Sequence, residues 1–112
     1  MKSSVTLKKN YEFRRMYKKS ASAVGAELVL YCRRNHLGHN RLGITVSTKL
    51  GHAVVRNRVR RRLREIVRLN SDKITQGWDL VLVARGRAVR AEYGEIDGCF
   101  LRLCGKLKLL RP

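Results

Sequence analysis

The chain has 112 residues, enough for one domain with one modest core. Its 26 Lys and Arg residues against 8 Asp and Glu residues give a formal net charge of +18 at pH 7. Such an excess predicts a polyanionic partner, with nucleic acid ahead of a membrane, because no apolar stretch approaches the ~20 residues of a spanning helix. The first residues, Met1 to Val5, lead into more charged residues instead of an apolar region, so we expect no signal peptide.

An early segment, residues 8–19, predicts a short helix. Phe13, Met16 and Tyr17 recur at the spacing i, i+3, i+4, which places them along one helix face. Asn10 is a candidate N-cap for this helix. From the residues alone, the simplest interpretation of the aromatic side chains is that they lie in the core.

Two segments with alternating apolar residues, 27–33 and 41–48, predict two strands. The residues between them, 35–40, have the composition of a loop, so we expect the two strands to pair as an antiparallel hairpin. Tyr31 points away from the more apolar side of the first strand. The small residues 20–23 are expected to form a connector.

The segment from Val54 to Arg68 is dominated by seven arginines with one glutamate. Val55, Val59, Leu63 and Ile66 follow the spacing i, i+4, i+8, i+11, which is one apolar stripe of a helix. Neither Gly nor Pro interrupts it, and arginine is a good helix former. The helical wheel places Asn57, Arg60, Arg61, Arg64 and Arg68 opposite this stripe, while Arg56, Arg58 and Arg62 flank it.

This row of guanidinium groups needs an anionic partner. Arginines repel one another across i, i+3 and i, i+4, and we expect nothing on the helix to balance their charge. Phosphates would neutralise them, since the planar arginine fork binds two phosphate oxygens at once. A DNA-reading helix is a weaker interpretation, because so many arginines favour contacts with the backbone over base edges.

The second half of the chain predicts one more strand and one more helix. Residues 78–84 are nearly all apolar and read as a central strand, in which Asp79 is expected to pair with an arginine. Residues 85–90 form a basic loop. From Ala91 onward, apolar residues recur at helical spacing as far as Leu110, so a last helix is expected to cover the sheet.

Cysteines and acids are too scattered for a metal or catalytic site. Cys32, Cys99 and Cys104 contain no C-x-x-C pair, and we interpret them as small core residues in a reducing cytoplasm. The eight acids form no cluster of the kind that a protein nuclease uses to hold metals. The polypeptide is therefore expected to be a binder, and a generic or ribosomal RNA-binding protein without an associated reaction is one alternative.

The residues around the arginine helix carry a family resemblance. The segment 49–65 resembles the signature of the bacterial ribonuclease P protein subunit, with Thr48 and His52 as departures. Histidine caps a helix less well than the asparagine usual in that family, so the start of the helix is less certain. The matching positions are Lys49, Gly51, Ala53, Val54, Arg56, Asn57, Arg60, Arg61 and Arg64.

The element order is helix, two or three strands, helix, strand, helix, which predicts an α+β fold with a mixed four-stranded sheet. Residues 1–112 then form a single RNA-binding domain. The resemblance implies a left-handed strand–helix–strand crossover around the arginine helix, whereas the general preference of proteins would predict the opposite hand.

The resemblance also implies a function. It is that of the accessory protein in a ribonucleoprotein endonuclease that removes the 5′ leader of precursor tRNA, with a catalytic RNA subunit that binds Mg²⁺ and with no membrane or obligate protein partner. The RNA subunit would contact Lys49, Arg56, Asn57, Arg58, Arg60, Arg61, Arg62, Arg64 and Arg68. The 5′ leader would contact Lys8, Phe13, Arg14, Tyr17, Lys18 and Tyr31.

Overall fold

The computed structural model describes residues 5–6 and 20–112, so the helix predicted at residues 8–19 lies outside the described residues. Within the described part, the strands join in one sheet with the order β1-β4-β5-β3-β2. The strands are β1 (Val5–Thr6), β2 (Ala21–Val24), β3 (Leu28–Arg34), β4 (Arg41–Thr45) and β5 (Trp78–Ala84), and the helices are α1 (Ala53–Leu69) and α2 (Tyr93–Lys106).

The centre of the sheet is β5, which pairs in parallel with β4 and antiparallel with β3. Leu80, Val81 and Leu82 are at most 1% exposed, so both faces of this strand are covered, as its nearly continuous apolar sequence predicts. The mixed four-stranded sheet is confirmed in β2 to β5, and the two residues of β1 extend it beside β4. The predicted hairpin of β3 with β4 is wrong, because β5 lies between them.

The loop between β3 and β4 explains this insertion, because it binds the segment that leads into β5. The Asn40 side chain accepts a hydrogen bond from the Trp78 backbone N–H at 2.9 Å and donates one to the Thr75 carbonyl at 3.1 Å. The Asn35 backbone N–H donates to the Gly77 carbonyl at 2.9 Å. The loop thus spans the start of β5 instead of closing a tight turn.

Three predicted boundaries also change. Residues 20–23 are not a mere connector, because Ala21–Val24 pairs antiparallel with β3 as an edge strand. The strand predicted at 41–48 ends at Thr45, and a 3₁₀ turn over Thr48–Leu50 precedes α1. The last helix ends at Lys106, so Leu110 lies beyond it, in a bridge with Ile74. The predicted basic loop contains a short 3₁₀ turn, Gly86–Val89.

The main core lies on one face of the sheet, beneath both helices. The apolar stripe of α1 is buried at Val59, Leu63 and Ile66, as predicted, but Val67 joins it and Val55 is only half-buried. The stripe therefore turns slightly around the helix toward Val67. From α2 the core receives Ile96, Cys99, Phe100, Leu103 and Cys104.

The predicted crossover is present: α1 connects the parallel neighbours β4 and β5. Its left-handedness stays a prediction. The three cysteines are free and buried, which confirms their prediction as core residues. Burial, aided by the nearby Cys32 thiol, raises the pKa of the Cys104 thiol to about 12, so that thiol is a poor nucleophile.

Candidate nucleic-acid interface

The start of α1 is built without a side-chain cap. Ser47 accepts the Lys49 backbone N–H at 3.2 Å and so begins the 3₁₀ turn, but His52, the N-cap of α1, makes no capping hydrogen bond through its side chain. This confirms the consequence predicted for histidine at that position. Gly51 has φ of 146°, and a Cβ there would lie 3.1 Å from Cβ of Val55, so glycine is needed between the turn and the helix.

The side of α1 that faces away from the core is an exposed arginine face. Arg58, Arg61 and Arg64 make no hydrogen bond or ion pair with any residue that the structure describes, and all three are exposed. Their guanidinium groups are therefore available to a ligand. The exposed arginine face consists of Asn57, Arg58, Arg61, Arg64 and Arg68.

The remaining arginines of α1 are engaged within the protein. Arg60 is half-buried at the edge of the helix, not opposite the stripe as predicted, and donates to the Asn57 side chain at 2.9 Å. Arg56 donates to the Gly51 carbonyl at 3.2 Å and Arg62 to the Ala91 carbonyl at 3.4 Å. These contacts fix the directions of the three side chains along the two flanks of the helix.

One acid on α1 does balance an arginine, contrary to the prediction that none would. Glu65 accepts two hydrogen bonds from Arg68, at 2.6 and 3.2 Å, in an exposed ion pair one helical turn long. The hydrogen bond and the charge of Glu65 raise the pKa of Arg68. The wheel identifies the helix faces but does not show which pairs form, because both side chains are long and flexible.

The opposite surface of the sheet, away from both helices, is the outer sheet face. Alternation and register place Tyr31 beside Val81, and both pack with Val83 in a small apolar cluster separate from the main core. Tyr31 therefore points away from the main core, as predicted. Lys8, Phe13, Arg14, Tyr17 and Lys18, the other predicted leader-binding residues, lie outside the described residues.

A charged row crosses the outer sheet face next to Tyr31. Arg41 donates to both carboxylate oxygens of Asp79 at 2.7 Å, and Asn35 adds a third hydrogen bond at 3.0 Å. Arg33 lies on the other side of Asp79 in the register of β3 with β5. The predicted pairing of Asp79 with an arginine is confirmed, and its partner is Arg41.

The electrostatics of this row are set by burial and by its donors. Burial alone would raise the pKa of the Asp79 carboxyl. The hydrogen bonds from Arg41 and Asn35, with the charges of Arg41 and Arg33, outweigh it and hold that pKa below its usual range. Arg33 and Arg41 were not among the predicted site residues. The sequence did indicate Arg33, because it lies two residues after Tyr31 and therefore on the same face of the strand.

The described residues offer no metal centre, because nowhere among them do three or more His, Cys, Asp or Glu side chains form a group able to hold an ion. None of the helices in the described ranges combines the length and apolarity needed to cross a membrane.

The comparison with known proteins decides the family. Residues 1–108 match the family model described as Ribonuclease P. The ribonuclease P protein component of Natranaerobius thermophilus is 46% identical over 111 residues, which cover 99% of this chain and 96% of the relative. The chain belongs to the ribonuclease P protein family.

Solved structures of the ribonuclease P protein family have the same fold. The RNase P protein of Staphylococcus aureus matches with a TM-score of 0.87 at 33% identity, over 96% of this chain and 99% of that chain. The RNase P protein from Thermotoga maritima matches with a TM-score of 0.80 at 30% identity, over 87% of this chain and 92% of that chain. The predicted α+β fold class is thereby confirmed.

Membership of the ribonuclease P protein family also confirms the predicted function class. The protein is a ribonuclease P protein component, a subunit of the ribonucleoprotein endonuclease that acts on precursor tRNA together with an RNA subunit. The generic RNA-binding alternative is therefore set aside. The DNA-reading alternative is excluded on the same ground.

Proposed function

We propose that this ribonuclease P protein component uses two surfaces, one for each RNA. The exposed arginine face and its flanks bind the RNA subunit, and the outer sheet face binds the 5′ leader of precursor tRNA. The observation that carries the proposal is a contrast. The guanidinium groups of Arg58, Arg61 and Arg64 on α1 have no partner among the described residues, whereas the charged row on the sheet is hydrogen-bonded and lies beside the Tyr31 ring.

The surface for the RNA subunit comprises Lys49, Arg56, Asn57, Arg58, Arg60, Arg61, Arg62, Arg64 and Arg68. Arg58, Arg61 and Arg64 would provide the strongest contacts, since they give up no protein partner among the described residues when they bind phosphate. Arg60, held by Asn57, is already oriented along the edge of the helix. The Arg68 guanidinium would be shared between Glu65 and the phosphate, so its contribution to RNA binding is smaller.

The surface for the leader combines Tyr31 with Lys8, Phe13, Arg14, Tyr17 and Lys18. Single-stranded RNA is commonly held by aromatic rings on which bases stack, next to cations that contact the backbone. Tyr31 supplies a half-buried ring on the outer sheet face, and Arg33 lies two residues along the same strand face. Because Asp79 is already saturated by Arg41 and Asn35, it offers few free lone pairs to repel a phosphate nearby.

The protein acts through position and charge and leaves the reaction to the RNA. By neutralising phosphates it lowers the repulsion between the RNA subunit and the substrate, and by holding the leader it orients the scissile bond. Mg²⁺ would be held by the RNA subunit, where it would supply the water activation and charge stabilisation that the hydrolysis needs. The described residues of the protein do not fit a metal site of their own.

We also place the protein in the cytoplasm. Its three cysteines are buried free thiols, the state that a reducing compartment maintains.

Leader binding is tested by comparing precursor with mature tRNA. Tyr31→Leu removes the aromatic ring and keeps an apolar side chain beside Val81, so precursor tRNA should bind the assembled enzyme ~1–3 kcal/mol more weakly. Mature tRNA lacks the leader, so its affinity should hardly change. Phe13→Ala with Tyr17→Ala should act in the same way.

Two controls complete the test. A thermal melt excludes loss of fold, and the single-turnover rate at saturating substrate should stay near that of the wild type, because the contact is equal in ground and transition states. Equal losses for precursor and mature tRNA would remove the leader from the outer sheet face. Sequencing the RNA that copurifies at low salt tests the other surface: one structured RNA supports it, and ribosomal RNA contradicts it.

A further inference from the structure

A cleft of about 720 Å³ opens at one end of the sheet, and of the residues in the two proposed surfaces only Lys49 lines it. It lies beyond the carboxyl ends of the parallel strands β4 and β5, between the turn that leads into α1 and the turn that leads into α2. Crevices at this position of parallel strands are common ligand sites. The cleft is lined by Glu27, Lys49, Leu50, Gly86, Arg87, Val89, Arg90, Ala91 and Glu95.

Glu27 is the unusual member of this lining. The residue as a whole is only 7% exposed, yet no hydrogen-bond donor or cation in residues 20–112 reaches its carboxylate. Its backbone is fixed, since its carbonyl accepts the Arg85 N–H at 2.9 Å. The Glu27 oxygens are not among the described side-chain atoms that are both buried and without a partner, so they reach the solvent of the cleft, where this carboxylate is an acceptor open to an entering donor.

The rest of the cleft suits a nucleotide. Leu50, Val89 and Ala91 give it an apolar wall, and Gly86 leaves that wall open because it carries no side chain. Three exposed cations, Lys49, Arg87 and Arg90, lie on its rim, where they can contact phosphates or stack on a base.

Glu27 then selects the base. An ionised carboxylate only accepts hydrogen bonds, and its two oxygens match two adjacent donors. Guanine presents such a pair, N1–H and N2–H, on its Watson–Crick edge. Adenine and cytosine place one donor group beside an acceptor there, and uracil places its single N–H between two carbonyl oxygens. We infer that this cleft binds an unpaired guanine nucleotide of RNA, with Glu27 as the specificity-determining residue.

The inference rests on the proposed function only in taking RNA as the ligand. The side chain of Arg62, on the flank of α1, reaches the Ala91 carbonyl at 3.4 Å, so the cleft adjoins the surface proposed for the RNA subunit. The guanine could be supplied by the RNA subunit or by precursor tRNA, since both would present the same unpaired base.

The test uses the free protein and four short single-stranded RNAs that differ only in one central base within a uridine background. Fluorescence anisotropy measures each affinity, and equal length cancels the unspecific electrostatic attraction. The wild type should bind the guanine RNA about tenfold more tightly than the other three. Glu27→Gln exchanges one acceptor for a donor, so it should abolish this preference while binding to the other RNAs is kept.

Glu95→Gln is the matched control, because it removes the same charge from the same cleft. Glu95 is exposed, and its carboxylate accepts the Glu92 N–H in a capping box that glutamine can also form. Selectivity for guanine should therefore survive in this variant. Selectivity that survives in Glu27→Gln, or that is lost equally in both variants, would overturn the role of Glu27.

The outcomes separate this inference from the proposed function. Equal binding of all four RNAs by the wild type overturns the guanine site and leaves RNA binding intact, whereas no binding of any overturns both. If Glu27→Gln does not fold, an NMR titration of the wild type decides: guanosine monophosphate should shift the Gly86 and Ala91 amides, and adenosine monophosphate should not. Shifts of these amides by Mg²⁺ alone, without guanine preference, would instead indicate a cation site.

The assembled enzyme distinguishes the two sources of the base. If the guanine belongs to the RNA subunit, Glu27→Gln weakens assembly about tenfold and affects all substrates alike. If it belongs to precursor tRNA, assembly is unchanged, and the loss appears only with substrates that carry an unpaired guanine.

Discussion

The two basic surfaces of this protein hold their arginines differently. On the exposed arginine face, Arg58, Arg61 and Arg64 lack any partner among the described residues. On the outer sheet face, Arg41 is bound at both carboxylate oxygens of Asp79. On the first surface the guanidinium groups are available to a ligand, while on the second the Arg41 guanidinium stabilises the protein's own structure. An arginine is thus available to a ligand or holds the protein's own structure in place according to whether an acid reaches it.

The largest expected effect comes from removing the unpartnered charges. Arg58→Ala, Arg61→Ala and Arg64→Ala together should weaken assembly with the RNA subunit by at least ~4 kcal/mol, at ~1.5–3 kcal/mol for each charged hydrogen bond. The fold should persist, because all three side chains are exposed and alanine favours helix. Gel-shift affinity and circular dichroism measure the two quantities.

A matched variant controls for the loss of net charge. Lys73→Ala, Arg102→Ala and Lys106→Ala remove three exposed cations away from α1. Assembly should weaken far less in this protein than in the arginine variant. Similar losses in both would mean that only total charge matters and that α1 has no special role.

The second effect concerns stability, not binding. Asp79→Asn should lower the free energy of unfolding by roughly 3 kcal/mol, near the lower end for breaking a buried ion pair, because Arg41 keeps 26% of its side chain exposed. Urea denaturation measures this loss. An unchanged midpoint would show that the charged row does not order the outer sheet face.

The pH dependence of stability should follow from the same carboxylate. Its folded pKa is lowered, so its contribution is fully present above the unfolded value of ~3.9 and is lost as the pH falls through the lower folded value. Urea midpoints of the wild type should therefore fall more steeply than those of Asp79→Asn in this acid range. Parallel curves would assign the acid sensitivity to other groups.

The smallest effect tests the one pair on α1. Glu65→Gln breaks an exposed ion pair, in which both side chains are more than 40% exposed, so the free energy of unfolding should hardly change. Affinity for the RNA subunit should rise slightly, because Arg68 is released and one negative charge is lost. A weaker complex would show that Glu65 positions Arg68 for its phosphate.

The sequence predicted the structure best where one helix has one buried side. The apolar stripe of α1 identified Val59, Leu63 and Ile66 because a helix repeats with a fixed period that the sequence displays directly. The periodicity could not fix the edges of the stripe, so Val67 was missed and Arg60 was assigned to the wrong side. One residue turns the helix by ~100°, and neighbouring elements decide which borderline side chain is covered.

Strand order was not predictable from the alternation. The pattern of a strand shows which faces are covered but not which strand lies beside it, so proximity in sequence suggested a hairpin that β5 interrupts. The decisive residues are Asn35 and Asn40, whose contacts with the start of β5 are nonlocal. For the same reason the burial of Glu27 could not be foreseen, since it depends on two turns that follow it by more than twenty residues.

The way α1 is connected gives its arginines a further property. Both ends of the helix connect to adjacent strands of one sheet through short segments that each contain a 3₁₀ turn, and its seventeen residues span about 25 Å at ~1.5 Å per residue. A helix of this length presents its arginines at fixed spacings, so its contacts depend on the distances between phosphates and not on the base sequence between them. We therefore expect an RNA whose phosphates lie at another spacing to bind this helix more weakly, so that recognition by α1 depends on the shape of the RNA.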